Sequence, residues 1–122
     1  MRLVIVSALV EAIGGLILIV APSVFAHLVF GGDFSEIGTA VARLGGFALL
    51  TIAVLCWPAP ATFTPSTNVV RGLLFYNAVA ALYLAELGVG PKLAGVLLWP
   101  AVALHTVLAL LFLRLFLSLK RA

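Results

Sequence analysis

The chain has 122 residues, 65% of them hydrophobic and only 9% charged, with a mean hydropathy of +1.33. A domain this small cannot enclose that much apolar surface within itself. This excludes an ordinary soluble domain and predicts a single integral membrane domain over residues 1–122, an all-α four-helix transmembrane bundle whose first partner is the lipid bilayer. The net charge of +3 and the pI near 9.6 rest on few residues. Basic residues flanking membrane spans account for them, so no nucleic-acid partner is expected.

A spanning helix needs ~20 mostly apolar residues, and four segments meet this: about 3–21, 37–57, 69–88 and 93–115. The first begins at a basic Met1-Arg2 and is followed by a small-residue "VFA" at Val24–Ala26. That outline resembles a secretory signal, but the apolar run is too long and holds Glu11, so it reads as a span. After it comes "PSVFAHLVFGGDFSE", too long for a tight turn and too apolar for a free loop. Val24, Phe25, Leu28, Val29 and Phe30 suit a short helix, lying in the interface or folding back onto the bundle. Ser35 is placed to cap the second span.

The second span ends in "LCWPAPATFTPSTN". Its Cys56 is the only cysteine, which rules out an internal disulfide and suits a small apolar filler. The third span, Val69–Gly88, ends in "GVGP". The fourth holds Trp99-Pro100, which leaves two readings: a helix starting near Pro100, or one starting near Leu93 and kinked at the proline. Trp57 and Trp99 suit the membrane–water interface. "AIGGLIL" in span one echoes "RLGGFAL" in span two. Duplication and close helix packing at small residues explain the echo equally well.

With four spans, Arg2, Arg71, Arg114, Lys120 and Arg121 fall on one side, and Asp33, Glu36 and Lys92 on the other. The excess of basic residues predicts both termini in the cytoplasm.

Each span carries one polar residue away from its ends: Glu11, Arg43, Asn77 and His105. Such residues are costly in hydrocarbon and face the bundle interior. The helical neighbours of Glu11 (Ser7, Ala8, Gly14, Gly15) and of Arg43 (Thr39, Ala40, Gly46, Phe47) are mostly small, as packing faces in lipid are. Those of Asn77 and His105 are mixed. The expectation is a polar centre with a Glu11–Arg43 ion pair at middle depth. Tyr76, Tyr83 and Glu86 form a second tier, a stripe at helical spacing on span three. Glu86 has Lys92 or Arg43 as candidate partners. His27 reads as an interface histidine; pairing it with His105 around a haem is a weaker alternative. No metal site, P-loop, dinucleotide, CxxC, HExxH or GxSxG motif is present in the sequence.

Two resemblances follow from these residues. "LVEAIGG" resembles the first helix of the small multidrug resistance exporters. That resemblance implies that Glu11 binds a proton or a cationic drug within an antiparallel dimer. The long segment after span one, "ARLGGFALL", "LLFYNAVAAL" and "WPAVALHTVLAL" together resemble the DoxX-like group of small four-helix bacterial membrane proteins. That second resemblance implies a fold, with links to quinone or thiol redox systems.

Three functions are compatible with this layout. The first is a buried polar pocket that binds, and in one version transforms, a small lipophilic molecule. There Arg43 holds an anionic or carbonyl head, His105 exchanges a proton, Glu11 orients Arg43 and Asn77 hydrogen-bonds. The second is a proton-coupled small-molecule exporter working as a dimer, a homo-oligomer of this chain. The third is a non-catalytic accessory subunit whose polar centre fixes helix order. The sequence specifies no cofactor.

Overall fold

The computed structural model describes residues 2–57, 65–90 and 93–121. The proline-rich 58–64 stretch and Lys92, with the side and pairing expected of it, lie outside the described residues. Everything described is helix or connection. In chain order the helices are α1 (Arg2–Val20), α2 (Pro22–Phe25), α3 (Glu36–Leu55), α4 (Thr67–Val89) and α5 (Leu98–Leu119). Four of them, all but α2, are long and apolar enough to cross a membrane.

The helices pack as two close antiparallel pairs, α1 with α3 and α4 with α5, joined more loosely through α1 and α5. Glycine sets the first pair. A methyl group added at Gly15 would stand 2.7 Å from the Gly46 carbonyl oxygen, and one added at Gly46 would stand 2.7 Å from that of Gly15. The two backbones therefore touch, which is the close approach small residues permit between helices in lipid. The Gly-Gly echo thus includes a real contact, made by the second glycine of each pair; Gly45 faces open space.

The half of the bundle nearer the termini is solid. Val4 and Ala8 of α1, Cys56 at the end of α3, Val70 and Leu73 of α4, and Leu108 and Phe112 of α5 form one buried cluster. Cys56 is a packing residue there, as its setting in the sequence suggests.

The other end is built by the segment after α1. Ala21 (φ −139°, ψ 61°) interrupts the helix, and Pro22 starts α2 where its missing N–H costs nothing. α2 runs into a π-helical turn, Ala26–Phe30, closed by Gly31 at φ 77°, a conformation natural to glycine. The segment folds back onto the bundle. Leu97 donates its N–H to the Leu28 carbonyl (2.7 Å) and Ala94 donates to Phe30 (3.3 Å). Gly95 packs so closely on the Leu28 and Val29 backbone that no side chain fits there.

These contacts decide how α5 begins. Residues 93–97 are occupied in holding the 26–30 turn, so the helix starts at Leu98 rather than near Leu93, with Pro100 in its first turn and no kink. Ser35 caps α3 as expected, its Oγ accepting from the Gly38 N–H at 3.0 Å. Ser66 does the same for α4, accepting from Val69 at 3.3 Å. The serine-threonine-asparagine run before that helix was a readable signal for this cap.

A candidate ligand cavity between the helix pairs

Above the solid half, the two helix pairs separate around a cavity of about 570 Å³. Its walls are largely aliphatic: Val10, Ile13 and Leu18 from α1, Leu49 from α3, Leu84 from α4 and Leu104 from α5. Phe25 and Val29 form its roof, and Leu97 and Pro100 close the α5 side. Nothing in the sequence marked Phe25 and Val29 as lining residues, because their place depends on the long-range bonds from Leu97 and Ala94.

Four polar side chains reach this space: Glu11, Tyr76, Tyr83 and His105. Glu11 and Tyr76 each stand nine residues past the start of their helices, at Arg2 and Thr67, which run in the same direction. They therefore lie level, and the Tyr76 hydroxyl neighbours the Glu11 carboxyl across the bundle. Glu11 is only 2% exposed, and its Oε1 has no hydrogen-bond partner. Ser7, one turn below on the same helix, is likewise buried with an unpartnered Oγ. A buried polar atom without a partner costs ~1–3 kcal/mol. Ser7 Oγ and Glu11 Oε1 are two such atoms one turn apart among the described residues.

Asn77 does not line the cavity but controls a residue that does. Its Nδ2 donates to the Leu73 carbonyl at 2.8 Å, and its Oδ1 lies 2.9 Å from His105 Nδ1. The Leu73 carbonyl can only accept, which fixes the amide orientation. Oδ1 is then an acceptor, so the proton sits on His105 Nδ1. Whenever the ring is neutral, Nε2 is an acceptor. The Tyr76 ring stands edge-on to the imidazole, with centroids 5.9 Å apart and planes at 83°, and holds it in place. By contrast, Thr51 and Thr106 donate to the carbonyls of Phe47 and Val102 on their own helices and contribute nothing to the site.

Arg43 is not part of this centre, and the expected Glu11–Arg43 ion pair does not form. Arg43 is exposed on the outer face of α3. There are two physical reasons. The inward stripe of α3 is Ala42, Gly46, Leu49 and Ala53, and Arg43 lies ~100° around the helix from Ala42. The level is also wrong: α1 and α3 cross at Gly15 and Gly46, with Glu11 on the termini side and Arg43 on the other. At ~1.5 Å per residue the two are about 10 Å apart along the axis.

Glu86 is also exposed and away from the cavity, and no Glu86–Arg43 pair is present. Among the described residues, the one contact of ion-pair type joins His27 Nδ1 to Asp33 Oδ1 at 3.4 Å. His27 is exposed, with Nδ1 also 2.9 Å from the Ser23 carbonyl. It lies outside the cavity that His105 lines, so the two histidines do not flank a common site.

Comparison with protein-family models, with curated proteins and with solved structures returned no match to this chain.

Proposed function

We propose that this chain is a multi-pass protein of a bacterial inner membrane, both termini cytoplasmic, that binds a small lipophilic molecule in the cavity between its helix pairs. Four sufficiently long apolar helices support the membrane placement. So does the distribution of charge: Arg2, Arg71, Arg114, Lys120 and Arg121 belong to the termini end, and Asp33 and Glu36 to the other. The resemblance of the sequence motifs to the DoxX-like group is in keeping with it.

One observation carries the binding reading. A cavity of the size ligands occupy has aliphatic walls that converge on a buried carboxyl with an unpartnered oxygen, beside an imidazole fixed by Asn77. A carboxyl, a phenol and an imidazole together can hold a polar head and shift a proton on it. With Arg43 outside, none of the described residues that line the cavity is a fixed cation.

The test is organic extraction and mass spectrometry of the purified chain, wild type beside Glu11→Gln combined with His105→Ala. A lipophile retained by the wild type and lost from the variant is expected. Equal ligand content and equal thermal stability in the two would contradict the proposal.

The absence of Arg43 from the cavity also supports a second reading. A guanidinium beside Glu11 would oppose a cationic substrate, and none is there, so a proton-coupled exporter fits the same residues. It requires proton release when substrate is added to detergent-solubilised protein. No release at any substrate concentration would eliminate it.

A further inference from the structure

The cavity is not closed on all sides. Ile13 of α1 and Tyr83 of α4 both line it, yet they are 59% and 60% exposed. Leu104 of α5 lines it too and is 40% exposed. The deep residues are the opposite: Glu11 is 2% exposed and Leu18 8%. The space is therefore a cleft with Glu11 at the bottom, Tyr83 at the rim and a mouth on the flank of the bundle. The mouth lies where α1 and α4 belong to different helix pairs and do not pack closely. The solid cluster around Phe112 blocks the termini end, and the 22–30 segment, tied down by Leu97 and Ala94, covers the opposite end.

Resting on the ligand-binding reading above, we infer that the mouth between Ile13 and Tyr83 is a lateral portal that admits a bilayer-borne amphiphile head first, leaving its tail in the lipid. The flank that carries the mouth is apolar: Leu9, Leu16, Val79 and Leu82 are all exposed near it. In a bilayer that flank meets acyl chains. A molecule arriving this way never crosses water, and its tail needs no room inside the protein.

The head is of a defined chemistry. Glu11 keeps acceptor capacity in either protonation state, and the neutral His105 ring presents Nε2 as an acceptor because Asn77 holds the proton on Nδ1. A head that donates hydrogen bonds through N–H or O–H satisfies both. A carboxylate or sulfonate head offers only acceptors: the Tyr76 and Tyr83 hydroxyls can donate to it, but it leaves both His105 Nε2 and an ionised Glu11 facing another acceptor. Selection thus falls on the head, and tail length is tolerated once the cleft is filled.

The experiment uses the full chain in phosphatidylcholine nanodiscs and three homologous series, n-alkylamines, n-alkanols and n-alkyl carboxylates, from octyl to octadecyl. Binding is followed by isothermal titration calorimetry against empty nanodiscs, and rates by stopped-flow displacement of a fluorescent alkyl probe. For amines or alcohols, affinity should rise with chain length and then level off without falling; comparison of the two series tells an N–H head from an O–H head. Carboxylates should bind roughly tenfold more weakly or worse. Ile13→Trp, which narrows the mouth, should slow both association and dissociation, by about tenfold.

Affinity that falls sharply beyond one chain length would mean a closed chamber and overturn the portal while leaving the pocket intact. Unchanged rates in Ile13→Trp, with the variant folded by circular dichroism, would do the same. Tighter binding of carboxylates would overturn the head assignment. Failure of every series to bind would remove the pocket itself, and this inference with it.

Discussion

At the scale of single residues, the site depends most on Asn77, which never touches the cavity. Its amide spans Leu73 and His105, so Asn77→Leu orphans the imidazole N–H, while the Leu73 carbonyl keeps its bond within the helix. A loss of about 1–2 kcal/mol is expected, measured by reversible unfolding in mixed micelles. The same change frees the ring. Nitrogen NMR of labelled histidine should show neutral His105 protonated on Nδ1 in the wild type, and on Nε2 or as a mixture in Asn77→Leu. An Nε2–H ring in the wild type would refute the tautomer assignment. Arg43 gives the contrary prediction. Breaking a buried ion pair costs ~3–5 kcal/mol, but Arg43 has no such pair, so Arg43→Ala should alter stability by less than about 0.5 kcal/mol. A large loss would restore the Glu11–Arg43 pair. Glu11, Asn77, His105 and Tyr76 were legible because each is polar in an apolar helix. Arg43 met the same criterion, and small neighbours supported it. What the chain does not display is which stripe of α3 turns inward and the level at which two antiparallel helices cross, and these two together separate Arg43 from Glu11.

At the scale of helices, glycines that look alike in sequence carry different loads. Gly15 and Gly46 bring the α1 and α3 backbones into contact, while Gly45 faces open space. Gly46→Ala should therefore destabilise the fold by about 1–3 kcal/mol through overpacking. Gly45→Ala should be neutral or slightly stabilising, by up to about 1 kcal/mol, from helix propensity. Thermal unfolding of the two variants side by side distinguishes them, and equal effects would mean that the crossing point is elsewhere. Spans one to three were readable to within two residues because length and hydropathy define them. The start of α5 was readable only as one of two alternatives, since it is set by hydrogen bonds from residues 94 and 97 to a segment more than sixty positions earlier. The fold-back of 22–30 was readable only as one of two alternatives, for the same reason.

At the scale of the whole molecule, a solid half and a hollow half share one bundle. The half around Phe112 holds the helices together, which frees the other half to leave a cavity. If the termini lie in the cytoplasm, single cysteines placed near Arg2 and Arg121 in a Cys56→Ala background should both resist an impermeant maleimide added to intact cells, and one at Asp33 should react. Labelling of either terminus would reverse the orientation.

The central claim is that the cavity exists to be occupied. Ala101 lines it on α5, and Ala101→Phe fills part of it without adding a polar group. Native mass spectrometry of wild type and Ala101→Phe from mild detergent tests the claim most directly. The account predicts a lipophilic adduct on the wild type that is lost from the variant, while the variant stays folded and at least as stable. A bare wild-type mass, or an adduct that persists unchanged in Ala101→Phe, would contradict it.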